Sequence, residues 1–142
     1  YKFYRSILMI YRNIKKNLPK NLEAHKDERG EIFDIFYKVN IEHVAIIDSK
    51  PNTLRGNHYH KETTQHMLMT KGSLEYWYKE VNSDEVKMKL LKEGDLVSTP
   101  PYEIHALKIL EDGNQFLVFS QGIRGGKNYE DDTYRVESIF PK

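Results

Sequence analysis

Residues 53–72 read TLRGNHYHKETTQHMLMTKG, and the meaning of the rest of the chain turns on this stretch. It sets His58 and His60 two positions apart, followed by Gln65 and Gly72. Successive side chains on a strand point to opposite faces, so His58 and His60 share a face and Tyr59 is turned away. Two imidazoles aimed into one cavity can bind a metal or move protons. An ordinary surface strand can carry such a pair too. A second stretch, GDLVSTPPYEIH at residues 94–105, weighs against that bland reading. It reads as a turn, a strand, a second turn and a third histidine, His105.

Together the two stretches resemble the paired motifs of the cupin superfamily, G-x5-HxH-x3/4-E-x6-G and G-x5-P-x-G-x2-H-x3-N. The spacing from His58 to Gly72 and from Gly94 to His105 matches throughout. Gln65 stands where the family has Glu, Tyr102 where it has Gly, and Ile109 where it has Asn. The resemblance implies an all-β fold, the cupin double-stranded β-helix or jelly roll. It also implies that His58, His60, Gln65 and His105 converge as ligands of a divalent transition metal. Imidazole nitrogens and an amide oxygen suit zinc first, with iron, nickel or manganese as alternatives. Such a donor set is neutral, so it leaves the ion's charge uncompensated and welcomes an anionic ligand.

Composition narrows the field. A chain of 142 residues with 39% hydrophobic and 30% charged residues is long enough for one domain with its own core. A net charge of +1 gives no electrostatic reason to expect nucleic acid as a partner. Absence of cysteine removes disulfides, thiol nucleophiles and Cys-ligated zinc, and permits a cytoplasmic setting. No apolar run approaches the roughly 18 to 20 residues of a membrane span. The sequence starts at Tyr1 rather than Met, so the expectation is a piece of a longer protein.

Phe3, Tyr4, Ile7, Leu8, Tyr11, Ile14 and Leu18 recur at spacings of three and four, which predicts a helix ended by Pro19. Residues 1–26 are therefore read as an N-terminal helical arm ahead of a cupin domain at 27–142. Six basic residues in the first twenty positions raise the alternative of a membrane-surface helix; packing on a protein surface is the preferred reading. From Ile32 on, short β-favouring runs alternate with turn signals. Strands are expected near 32–37, 42–48, 54–60, 64–71, 73–81, 86–91, 95–99, 104–110 and 115–120, as in a sandwich or barrel. Lys71-Gly72 and Asp112-Gly113-Asn114 are read as turns. The tail beyond Gly122 is polar and expected to be ordered only by docking.

A narrower resemblance starts upstream. Asp27-Glu28-Arg29-Gly30-Glu31-Ile32-Phe33 followed by Leu54-Arg55-Gly56-Asn57-His58 is similar to the D-x-R-G and R-G-x-H segments of nucleotide-sugar 3,5-epimerases. Arg55-Gly56-Asn57-His58-Tyr59-His60 also resembles the zinc-bearing cupin domain of capsular polysaccharide enzymes and the dTDP-4-keto-6-deoxyglucose 3,4-ketoisomerases. These resemblances imply a homodimer acting on nucleotide-activated 4-keto-6-deoxyhexoses in surface-polysaccharide synthesis. They assign His58 as general base and Arg55 and Arg29 as contacts to the substrate diphosphate. Guanidinium forks fit phosphate oxygens, and an imidazole can take a proton from carbon beside a ketone.

Two departures separate this chain from its models. The epimerases use a tyrosine on the strand after the third motif histidine, where Gln115-Phe116-Leu117-Val118-Phe119-Ser120 has none, and the ketoisomerases lack the histidine kept here at His105. If His58 is a metal ligand it is not also the base, which leaves the proton to Tyr102, three residues before His105 with a hydroxyl at the pocket mouth, or to a metal-bound hydroxide. Tyr76 and Tyr78 are candidates to line the pocket and stack on a sugar or base, with Trp77 facing the other way. His25, His43 and His66 have no partner at ligand spacing and are read as structural or surface groups. The expected function is isomerisation or epimerisation beside the ketone, with a metal-dependent dioxygenase or a non-catalytic sugar- or metal-binding cupin as alternatives.

Overall fold

A computed structural model describes residues 9–122, 126–128 and 130–142. Ten strands follow one another: β1 (Ile10–Asn13), β2 (Ala24–Asp27), β3 (Gly30–Phe33), β4 (His43–Ser49), β5 (Leu54–Tyr59), β6 (Thr64–Glu80), β7 (Lys87–Lys92), β8 (Asp95–Thr99), β9 (Glu103–Gln121) and β10 (Tyr134–Arg135). A 3-10 turn lies at Gly126–Asn128. All strand pairs are antiparallel.

The expected turns at Lys71-Gly72 and Asp112-Gly113-Asn114 are not turns between strands. β6 and β9 run through them as two long strands paired along their length. Gly72 and Gly113 have φ of +72° and +66°, and Gly72 pairs with Asn114. A Cβ on Gly72 would collide with the Gly113 carbonyl oxygen. The register slips between Met69 and Lys71 and again between Gly72 and Leu74. Glycine permits both the left-handed backbone and the close approach, so the paired strands change course together.

That bend makes two layers from one ladder. The 64–69 half of β6 pairs with β8, itself paired with β1, and with the 116–121 half of β9, which pairs with β4. The later half of β6 pairs with β7 and with the 103–109 half of β9, which pairs with β5 and through it with β10. Met67, Met69, Val97, Phe116 and Val118 from the first layer meet Leu74, Tyr76, Leu91, Leu107 and Ile109 from the second in one buried cluster. Period-two alternation is clear on β4, where Ala45 and Ile47 turn inward and Val44 and Ile46 stay 55% and 59% exposed.

No N-terminal helical arm is present in the described residues. Phe3, Tyr4, Ile7 and Leu8 lie outside them, but residues 10–13 form β1 on the edge of β8. Met9 and Tyr11 pack against the core while Ile10 is 61% exposed, a period of two rather than 3.6. Asn13 ends the strand in a hydrogen-bonded turn: its Nδ2 donates to Asp95 (3.0 Å) and its Oδ1 accepts from the Lys15 N–H (3.0 Å). Tertiary pairing with β8 wins over a helical spacing whose last member, Leu18, stays 45% exposed. The predicted strand at 32–37 is shorter and earlier, because β3 pairs only with β2 in a separate hairpin.

Gly72→Ala should therefore cost stability far from any binding residue. A left-handed non-glycine residue costs about 1 to 3 kcal/mol, and backbone displacement at the Gly113 contact adds to it. Urea unfolding should show a loss of about 2 kcal/mol or more; a value within about 0.5 kcal/mol of the parent would contradict the bend as described.

Candidate active site

The site begins with a bulge. Gly56 and Asn57 have φ of +90° and +60°, and the β5–β9 register shifts between Gly56 and His58. The extra residue changes the phase of alternation, so Arg55 and His58, three apart, line the same cavity. Gly56 is obligatory here for space, since a Cβ would sit 2.7 Å from the His105 carbonyl oxygen. Asn57 fastens the bulge to the tail: its carbonyl accepts from the Val136 N–H (3.0 Å) and its Oδ1 from the Ile139 N–H (2.9 Å).

His58 and His105 are cross-strand partners, with ring centroids 4.7 Å apart at 88°. His60 closes the triangle at 5.0 Å from His58 and 5.4 Å from His105. One ring nitrogen from each lies within 4.8 Å of those of the other two. His60 and His105 are buried and His58 is half-buried. The His60 Nδ1 is 2.8 Å from the Asp132 carbonyl oxygen, and the His105 Nδ1 is 3.2 Å from that of Glu103. A carbonyl only accepts, so each Nδ1 carries a proton, and in the neutral ring the lone pair lies on Nε2. That is the tautomer a metal bound at Nε2 requires, oriented by backbone as ligand histidines generally are.

A cavity of about 340 Å³ lies between the two layers, lined by Arg55, His58, Gln65, Tyr76, Thr99, His105 and Arg135 with an apolar wall of Ile47, Leu54, Met67, Leu107, Phe116 and Val118. Gln65 thus faces the same space as His58 and His105. No carboxylate is among the lining residues. Arg55 is steadied at the rim by donating from Nε to Ser49 Oγ (2.8 Å) and from Nη2 to the Asp48 carbonyl (3.1 Å).

Behind the wall sits a buried acid. Glu103 is 1% exposed; its Oε2 accepts from the Met9 N–H (2.6 Å) and its Oε1 from the Tyr76 hydroxyl (3.0 Å). The Tyr76 hydroxyl also meets Thr99 Oγ1 at 2.6 Å. Burial pushes the Glu103 carboxyl up to about 7, against the pull of those donors. Burial, then the Glu103 charge, drive the Tyr76 phenol well above its ordinary value, so it stays protonated. Its ring lies parallel to that of His105 at 6.4 Å, and half-buried Tyr78 tilts against it at 5.4 Å. Trp77 faces the other way, onto Phe140.

Two candidates lie elsewhere. Tyr102 is 50% exposed, with its ring over Tyr59, which stacks in turn on Tyr134 (5.4 Å). That puts its hydroxyl on the outer face with Tyr59, outside the cavity lining. Its φ of +66° explains why the motif favours glycine there. Arg29 sits at the tip of the β2–β3 hairpin, 84% exposed and paired with Asp27 at 2.7 Å, so the D-x-R-G segment closes on itself. Among the other histidines, His66 lies on the outer face of β6 against Phe36 and Ser98, and His25 is exposed beside Glu23.

Sequence reasoning missed Thr99, Glu103, Asp132 and Arg135. Thr99 and Glu103 lie inside the second motif, where a carboxylate between Pro101 and His105 was a signal that could have been read. Asp132 and Arg135 belong to the tail, and only the fold brings them to the histidines.

A two-layer antiparallel β structure with three clustered histidines, two of them lining its cavity, is a cupin-type arrangement. The chain belongs to the family described as polysaccharide biosynthesis C-terminal domain, which matches residues 25–133. Among solved structures it is similar to a double mutant of the QdtA 3,4-ketoisomerase from Thermoanaerobacterium thermosaccharolyticum in complex with TDP. Identity is 20% over 93% of this chain and 90% of that one, with a TM-score of 0.70. The capsular polysaccharide assembling protein CapF from Staphylococcus aureus gives 23% identity and a TM-score of 0.63, covering 85% of this chain but 37% of that one. A dTDP-4-dehydrorhamnose 3,5-epimerase from Sulfolobus tokodaii gives 19% identity over 82% of this chain and 76% of that one, with a TM-score of 0.60. No curated protein matches the chain. At these identities the structural likeness shows the fold. No helix among the described residues is long and apolar enough to cross a membrane.

Glu103 makes a prediction with a definite sign. Its folded value is raised to about 7 from 4.5, so its neutral form favours the fold below about pH 4.5 and that stability is lost as pH rises through 7. Gln in its place mimics the neutral acid. Between pH 5 and 8 the parent should lose roughly 2 kcal/mol relative to Glu103→Gln, read from urea midpoints. Parallel pH profiles for the two proteins would contradict a carboxyl whose burial outweighs its hydrogen bonds here.

Proposed function

We propose that this protein is a nucleotide-sugar isomerase or epimerase that works beside the keto group of a nucleotide-linked 4-keto-6-deoxyhexose in surface-polysaccharide biosynthesis. The carrying observation is the cavity: imidazoles on one wall, arginine at the mouth, and no carboxylate in its lining. The family match and the activities named for QdtA and the 3,5-epimerase support this substrate class. The capsular role named for CapF supports the pathway setting. A homodimer belongs to the same proposal, and the exposed Val44 and Ile46 on β4 would suit a second copy.

Arg55 binds the diphosphate, which anchors the sugar against the apolar wall and holds its ketone toward the histidines. A base takes the proton from the carbon next to the ketone; the C–H electron pair moves toward the carbonyl carbon and its oxygen takes the charge. Return of a proton to the opposite face of the same carbon gives the epimer. Return to the former carbonyl carbon, with loss of the neighbouring hydroxyl proton, gives the keto-isomer.

The donor set fits a divalent transition metal, zinc first, with iron, nickel or manganese as alternatives. His60 and His105 each present a lone pair at Nε2, His58 completes the triangle, and Gln65 is the fourth candidate ligand. When bound, the ion supplies Lewis acidity at the carbonyl oxygen. His58 then serves as ligand; without the ion it is the half-buried base on the cavity wall. Tyr102 lies outside the cavity lining, whereas Tyr76 is part of it, kept protonated with its hydroxyl held by Thr99 and Glu103.

In heavy water, incubation with a 4-keto-6-deoxyhexose nucleotide should place deuterium at C3, and His58→Asn should abolish it. Arg55→Ala should raise KM about tenfold or more, the equivalent of losing a charge-assisted bond of about 1.5 to 3 kcal/mol. Exchange that survives chelation and ignores Gln65→Glu would assign His58 as free base. If no keto-sugar tried takes up deuterium, the isomerase reading fails in favour of an oxygenase or a binding protein.

A further inference from the structure

The segment 130–136 follows the family match only as far as residue 133, yet it touches the site twice. Asp132 is 2% exposed. Its carboxylate accepts from the N–H groups of Lys61 (2.9 Å), Glu62 (2.9 Å) and Thr63 (2.8 Å) and from Thr63 Oγ (2.9 Å). Its carbonyl accepts from His60 Nδ1. One residue therefore organises the whole link between β5, which carries Arg55 and His58, and β6, which carries Gln65. Burial raises its carboxyl, but these donors outweigh it and hold the value below the ordinary range.

Beyond the clasp, Tyr134 pairs with Tyr59 and Arg135 with His58. Alternation turns Tyr134 outward, where Tyr59 stacks on it and Lys61 Nζ lies 4.2 Å from its ring centroid. Arg135 faces the cavity, which Arg55 also lines. Glu130 holds Arg135 Nη2 at 2.5 Å, an anion already seated on this guanidinium.

We propose that Asp132 is the positioning residue of the site, fixing His60 in its Nδ1–H form and holding Arg135 at the cavity mouth as a second arm, with Arg55, for a diphosphate-class anion. The arm rests on the nucleotide-sugar reading; the setting of His60 does not. Two guanidinium forks on one mouth grip a diphosphate through separate phosphoryl groups. Glu130 occupies Arg135 until the stronger ligand displaces it.

The test uses the full chain with inorganic pyrophosphate and thymidine diphosphate in calorimetry, beside a long-range proton–nitrogen spectrum of the histidines recorded with chelator. The wild-type spectrum should show His60 protonated at Nδ1, and Asp132→Asn should mix or reverse the tautomer. Arg135→Ala should weaken pyrophosphate about tenfold, and Glu130→Gln should tighten it severalfold, a gain that no loss of structure produces. Asp132→Asn should weaken it as Arg135→Ala does, with no further loss in the double variant. If Asp132→Asn does not fold, Thr63→Val, which removes one donor of the clasp, should shift both readouts in the same direction. Wild-type affinity in Arg135→Ala, or a His60 signal unchanged in every clasp variant, overturns the proposal. Arginine-dependent binding without deuterium exchange would leave this inference standing and remove the isomerase. Exchange with Arg135→Ala kinetics equal to wild type would do the reverse.

Discussion

Everything in this molecule depends on two strands being shared between layers. β6 and β9 are paired over almost their full length, and the pair bends where Gly72 and Gly113 let the backbones approach. An isolated two-stranded ribbon would be marginal; bent over, it offers each half a fresh set of neighbours and folds its apolar face onto itself. The cavity takes its walls from both halves. His105 and Gln65 lie on β9 and β6 themselves, so the ribbon that builds the core also fixes two members of the site relative to each other.

The electrostatics follow from where the carboxylates are kept. Asp132 is buried under four donors, and Glu103 stands behind Tyr76 rather than on the cavity surface. A neutral donor set and two arginines then face a space lined by no acid, with Glu130 pairing to Arg135 from outside that lining. Such a pocket favours an anion. Gln65 in place of a glutamate acts in the same direction, because an added negative charge would compete with the ligand and blunt any bound ion.

Much of this was legible in the sequence, and the illegible part has physical causes. The histidine spacings announced the site because period-two geometry is local, and the Gly56–Asn57 bulge is a local feature that leaves the R-G-x-H run intact. Glycines read as turns were bends, since sequence shows that a residue permits a left-handed backbone but not whether a paired strand bends with it. The N-terminal stretch had helical spacing, yet β8 offered Tyr11 a core contact and the Asp95 carboxylate. Tyr102 was expected at the pocket because it precedes His105. Its left-handed backbone, held by a hydrogen bond from its N–H to the His60 carbonyl (2.7 Å), turns the ring outward instead.

Asp132 shows why the tail could not be read. It is a polar residue in a polar segment, and its meaning comes from N–H groups about seventy positions upstream. Those N–H groups belong to a short link that would otherwise leave three donors facing inward without acceptors, a costly state for buried backbone. One carboxylate satisfies them all, and the same residue's carbonyl takes the His60 proton. Closing the link and choosing the imidazole's lone pair are therefore one event. The histidine motif positions the rings, but the state of His60 is completed by a residue outside it. A chain ending before residue 132 would keep the H-x-H pair and lose the carbonyl that orients its second member.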